Sequence, residues 1–217
     1  MELDHIFICT KKGAPEAELL KAFGLSEGSK NIHPGQGTAN RRFFFHNSML
    51  ELLWLESPDE AQSELTKPTG LFERLSLPDD NISPFGFCFR PGDKTETATP
   101  FPAWKYSPVF FPASLAVDVG NAPLEEPMWF FVSFLSKKNP AEMTEPLDHD
   151  IGFKELTNVT VSIANSTAFS VAADKANNLE GFNVKRDGAH LVELEFDGGM
   201  RGEVHDFRPT LPLLFRW

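Results

Sequence analysis

HPGQGTANRRFFFHNSMLELLWLE, residues 33–56, joins a glycine-rich turn to two apolar strands and sets one acid in the middle of the second. Pro34, Gly35 and Gly37 punctuate the start of the stretch. Residues 41–46 and 49–56 are strand-like runs, and the Asn47-Ser48 pair between them predicts a tight hairpin. Alternation along the second strand places Met49, Glu51, Leu53 and Leu55 on one face. A glutamate flanked by Leu50 and Leu52 is costly to desolvate unless it is paired or binds a cation. A salt bridge to Arg41 or Arg42 would meet that cost, and so would a place in a site. Those two arginines point to opposite faces of their strand, so at most one shares the space of Glu51.

Working outward, residues 3–10 (LDHIFICT) read as a strand with Leu3, His5, Phe7 and Cys9 on one face. Leu19, Leu20 and Phe23 fall at helical spacing, and Gly24 is a C-terminal stop. With a weak strand somewhere in 26–36, residues 1–60 form a βαβββ module. Residues 69–75 predict a short connecting helix. A second round runs over 80–136, with strands at 82–90, 114–119 and 128–135 but no clean helix in 91–113. Residues 137–150, with Lys137, Lys138 and several acids, read as a linker that leaves His149 in solvent. A third round over 151–217 predicts a strand at 156–164 and a helix at 166–178 capped by Ser166. Strands follow at 182–186, 190–196 and 201–207, with Asp187-Gly188 and Gly198-Gly199 as hairpin signals. Threefold repetition is the main architectural signal. The expected fold is therefore α+β: repeated βαβββ modules forming a cupped, mainly antiparallel mixed sheet with helices outside.

Composition narrows the partners. The 217 residues carry a net charge of −11, which on average repels nucleic acid and anionic membranes. Neither is expected as a partner. Phe outnumbers Tyr by 21 to 1, a bias suited to interiors packed on both sides of a sheet. The two cysteines, Cys9 and Cys88, sit in apolar runs and read as buried thiols of a reducing compartment, not as nucleophiles. No secretion signal is visible, so a cytoplasmic location is expected, and the triplets at Asn158 and Asn165 read as chance glycosylation matches.

Three stretches together, LDHI at 3–6, HPGQGTAN at 33–40 and MLELL at 49–53, resemble the glyoxalase-like branch of the vicinal-oxygen-chelate superfamily. The likeness is clearest over residues 1–60 and weaker to about 136. It implies paired modules around a small-molecule cavity, and in metal-dependent members a divalent ion held by a His and a Glu from each module. His5 and Glu51 match the first half of such a site. Sliding the second module under the first puts Gly86 and Ser133 at the other two positions, and neither is a strong ligand.

The resemblance implies a lyase, isomerase or dioxygenase acting on a carbonyl or carboxylate compound, with Zn, Ni, Mn or Fe on His5 and Glu51 as candidate cofactor. The alternative is a metal-free binding or sequestration protein on the same scaffold. A third reading is protein association through an aromatic patch at 104–111. From the residues themselves, His5 and Glu51 can be a hydrogen-bonded pair, a base with its partner, or ligands. His33, Gln36, Thr38, Asn40, Arg41 and Arg42 are candidate substrate contacts, although the glycines there also suit a plain strand connection. Glu193, Glu195, Glu203 and His205 read more simply as a solvated sheet face than as supplementary ligands. Uncovered edge strands of the third unit suggest a homodimer.

Overall fold

The computed structural model describes residues 1–76, 79–92, 98–137, 139–164 and 168–217. Ser166 and the Asn165 triplet, named above, and Lys138 lie outside them.

The strands foreseen on both sides of the Asn47-Ser48 turn form β3 (Thr38–Phe44) and β4 (Met49–Leu55), an antiparallel pair. Before them come β1 (Glu2–Cys9), α1 (Ala17–Phe23) and the short β2 (Asn31–His33). Gly24 ends α1 in a left-handed conformation (φ 113°), which glycine adopts without a Cβ clash. β4 returns parallel to β1, which completes a βαβββ unit. Two short helices follow, α2 (Pro58–Ala61), which the sequence reading passed over, and α3 (Leu71–Ser76). The second module supplies β5 (Phe85–Arg90), β6 (Ala103–Tyr106), β7 (Val117–Gly120) and β8 (Met128–Phe131). Here β8 lies parallel to β5, the same return as in the first module. Antiparallel pairing of β1 with β5 fuses the two into one eight-stranded sheet, ordered β2-β3-β4-β1-β5-β8-β7-β6.

The third unit is a different structure. It comprises β9 (Leu156–Ala164), α4 (Val171–Asn177), β10 (Phe182–Asp187), β11 (Leu191–Phe196), β12 (Val204–Asp206) and β13 (Leu213–Arg216). Its sheet runs β10-β9-β11-β13-β12. β10 and β11 therefore flank β9 and do not pair, so Asp187-Gly188 turns no hairpin, and Gly198-Gly199 lie in a 3-10 turn between unpaired strands. A turn dipeptide sets a chain reversal but not the next strand's partner. Val159, Val161 and Ile163 are fully or almost fully buried, and the strand that carries them takes a neighbour on each edge. The expectation of a third βαβββ copy is corrected accordingly, while the α+β class with mixed sheets holds. The α4 cap is Ser170, whose Oγ accepts from the Ala173 N–H at 3.2 Å.

The segment expected as a linker is pinned down. His149 is buried: its Nδ1 accepts from the Ser26 N–H at 3.0 Å, which leaves Nε2 to donate to the Phe44 carbonyl at 3.0 Å. Glu145 accepts from the Ser29 N–H at 2.9 Å. Charged residues made this stretch look solvated, but their partners lie more than a hundred positions away.

One face of the large sheet packs on the small one. Phe87 meets Phe182 with ring centroids 5.1 Å apart, and Phe45 meets Phe196 at 4.7 Å. Ile6, Ile8, Leu50, Leu52 and Trp129 are buried in the same core, and each such side chain contributes roughly 1.5–3 kcal/mol. Glu193, by contrast, faces outward to Lys185 and Arg216, at 2.9 and 3.0 Å. Among the described residues no helix is long and apolar enough to cross a membrane. The other face of the large sheet is left to line a cavity.

Candidate functional site

The free face carries His5 and Phe7 from β1, Arg42 from β3, and Met49, Glu51 and Leu53 from β4, as alternation foresaw. Leu3 departs from it, because a register shift between Leu3 and His5 turns Leu3 into the inter-sheet core. From the second module the same cavity receives Tyr106, Val117, Met128, Phe130 and Val132. Its volume is about 300 Å³, at the small end of ligand sites.

Glu51 is buried on the cavity floor, 8% exposed, and among the described residues no donor hydrogen-bonds to its carboxylate. Neither arginine satisfies it. Arg41 faces the other side of the sheet, where its Nε donates to Glu27 at 2.7 Å and its Nη1 to the Ala14 carbonyl at 3.2 Å. That placement removes Arg41 from the expected substrate contacts. Arg42 sits directly across from Glu51 in the β3–β4 register, but its Nε donates to the Ser29 carbonyl at 2.8 Å.

His5 is tied from below. Its Nδ1 lies 2.8 Å from Asp4 Oδ2, and Arg90 Nη1 donates to the other Asp4 oxygen at 2.6 Å. Burial works against a charge on His5, yet Cys88, Glu51 and Asp4 together lift its pKa well above the ordinary histidine value. Burial also opposes the Asp4 charge, but His5 and Arg90 hold its pKa below the usual range.

His33 has the opposite character. Gln36 Nε2 donates to Thr38 Oγ1 at 2.8 Å, so the Thr38 hydroxyl hydrogen is available for His33 Nδ1, also at 2.8 Å. The ring is then neutral, its Nε2–H has no acceptor among the described residues, and burial lowers its pKa, against the pull of Glu51. Thr38 thus orients a site residue without lining the cavity. Asn40 is fully buried, accepts from the Asn31 N–H at 3.0 Å and stays out of reach of a ligand. Of the eight residues expected here, His5, Glu51, His33, Gln36 and Arg42 meet in one cavity and three do not.

Among the described residues, the second module places no metal donor at the two positions that the resemblance assigns to it. Gly86 lies opposite Phe7, whose ring fills its empty side: a Cβ there would fall 2.0 Å from the ring. Ser133 is exposed beyond the end of β8, and the residues of β8 that face the cavity are Met128 and Phe130. The four-ligand pattern implied by the resemblance therefore does not fit. Asp4, His5 and Cys88 do bring one possible ligand atom each within 4.8 Å of one another. Asp4 is already engaged by Arg90, however, and the thiol is fully buried.

Sequence reasoning missed Asp4, Arg90 and the aromatic residues of 106–111 as parts of the site. Within the 104–111 stretch Tyr106 is buried and Phe110 and Phe111 are half-buried against the cavity, whereas Trp104 lies outside it and Val109 is exposed. The single tyrosine stands where its hydroxyl reaches Thr66 Oγ1, at 3.3 Å. Cys9 is equally unsuited to nucleophilic work, because burial pushes its pKa up to about 12 despite Arg74.

No protein-family profile matches this chain, and no curated protein matches it significantly. Among solved structures, it is similar to a hypothetical protein from Staphylococcus aureus, with a TM-score of 0.56 and 10% identity. The likeness covers 99% of this chain and 97% of that one, and at such identity it speaks to fold alone.

Proposed function

We propose that this chain is a metal-free, glyoxalase-like small-molecule binding protein, and that its cavity takes an amphipathic carbonyl or carboxylate compound. The observation that carries the reading is Glu51, buried on the cavity floor with no donor to its carboxylate among the described residues. That carboxylate opens onto the cavity, where a ligand hydroxyl could donate the hydrogen bond that no described residue makes to it. The His33 Nε2–H and the Arg42 guanidinium stand nearby to donate to a ligand oxygen, while the apolar wall of the second module receives the rest of the molecule.

A second reading is acid–base chemistry on the bound compound. It is favoured by the placement of His5 and Glu51 in one cavity, the imidazole tied to Asp4 and the carboxylate without a donor among the described residues. The superfamily membership suggested by the LDHI, HPGQGTAN and MLELL stretches accords with either reading.

The test is ligand-observed NMR with a panel of hydroxy and keto acids, on the wild type and on Glu51→Gln and His5→Ala. Binding by the wild type, with loss of ten-fold or more in each folded variant, is the expected result. Variants that merely unfold would make these residues structural. Stoichiometric divalent metal in protein purified without chelators, lost from the double variant, would replace this reading with a chelate enzyme.

A further inference from the structure

The aromatic side chains of the cavity fall into two rows. On the sheet, His5, Phe130 and Phe7 are in succession: His5 meets Phe130 edge-on at 5.6 Å, and Phe7 lies 6.2 Å from Phe130 at 31°. The second row starts at the end of β2 and continues in loops. His33 and Phe110 lie 5.2 Å apart at 30°, Phe110 meets Phe111 at 4.9 Å, and Phe111 meets Phe134 at 5.5 Å.

The loop after β6 leaves one edge of the eight-stranded sheet and reaches the β2–β3 turn at the other edge. There Val109 packs against Gly35, whose missing Cβ would fall 2.1 Å from the valine methyl. The second row is therefore strapped across the cavity that the first row floors. Aliphatic residues would seal an apolar cavity equally well by area. Rings on both sides add preference for a ligand with π faces and positive edges.

Building on the binding reading above, we propose that the ligand body is a planar aromatic ring system, received between the His5–Phe130–Phe7 row and the His33–Phe110–Phe111 row, with a hydroxy-acid head at Glu51, His33 and Arg42. The hydroxyl donates to Glu51, and the acid oxygens accept from His33 Nε2–H and Arg42. Each ring pair contributes roughly 2- to 12-fold in affinity beyond area burial.

Calorimetric titration of the full chain with 3-hydroxy-2-naphthoate and 3-hydroxydecanoate compares an aromatic with an aliphatic body, because both probes carry a hydroxyl on the carbon β to the carboxylate. The naphthoate is expected to bind at least ten-fold tighter. Phe110→Leu/Phe130→Leu keeps the cavity apolar and is expected to bring the ratio near one with the decanoate affinity retained. Glu51→Gln is expected to weaken both probes alike. Equal binding of the two acids by the wild type overturns the aromatic assignment and leaves the binding reading in place. So does a ratio that survives the double leucine change. Failure of both probes to bind the wild type overturns both proposals.

Discussion

The two modules of the large sheet share a topology and divide the labour at the cavity. In the first, β1, β3 and β4 present His5, Arg42 and Glu51; in the second, β8 presents Met128 and Phe130. Pairing geometry is the same in both, with a first strand parallel to a fourth. The difference is chemical, and it shows that a duplicated scaffold does not oblige duplicated ligands. One half orients a polar head, and the other offers a greasy wall.

The comparison is broken most forcefully on the strand that serves both the core and the cavity. Trp129 is fully buried toward the second sheet, and Trp129→Ala is expected to cost about 3–5 kcal/mol in urea unfolding. Its neighbour Phe130 faces the cavity, and Phe130→Leu should cost less than about 1.5 kcal/mol. Equal losses would mean that the cavity face is core as well.

Gly86→Ala sharpens the contrast between modules, because its Cβ would enter the space of the Phe7 ring. A loss of about 1–3 kcal/mol is expected from overpacking. No loss would mean that Phe7 swings aside freely and that the second-module position is open.

The smallest effect concerns pH. Burial lowers the pKa of His33 and of His149, so below about 6.5 the unfolded chain binds protons that the folded one resists. Their stabilisation is present above that value and is lost as pH falls through it toward the folded pKa. His5 has a raised pKa and does the reverse: its contribution is full below about 6.5 and is lost as pH rises through its folded pKa. In urea titrations between pH 5 and 7, His149→Gln should flatten the acid side of the profile relative to wild type. An unchanged slope would remove His149 from the account.

The first module was largely legible in the sequence because its signals are local. Alternation placed His5 and Glu51 on one face, Gly24 ended α1, and Asn47-Ser48 turned the hairpin. What could not be read depends on distant partners. Arg90 reaches Asp4 across the β1–β5 seam, and His149 reaches Phe44 from a stretch that looked solvated. Arg41 and Arg42 were equivalent in sequence until Glu27 and Ser29 showed which face each one occupies. In the third unit, turn residues were recognised, but the strand order was not, since pairing is decided by which edges remain free.

The seam between β1 and β5 also bears on how the chain is made. β9 to β13 find their partners within a short stretch of chain, whereas β1 pairs with β4 and then with β5, whose residues 85–90 come far later in the sequence. At translation rates of 5–20 residues per second, the interval between β1 and β5 is roughly 4 to 15 s. During that time the edge of β1 bearing Ile6, Phe7 and Ile8 is a ready template for any other nascent strand. Slower synthesis of the intervening residues lengthens that exposure, and faster synthesis shortens it.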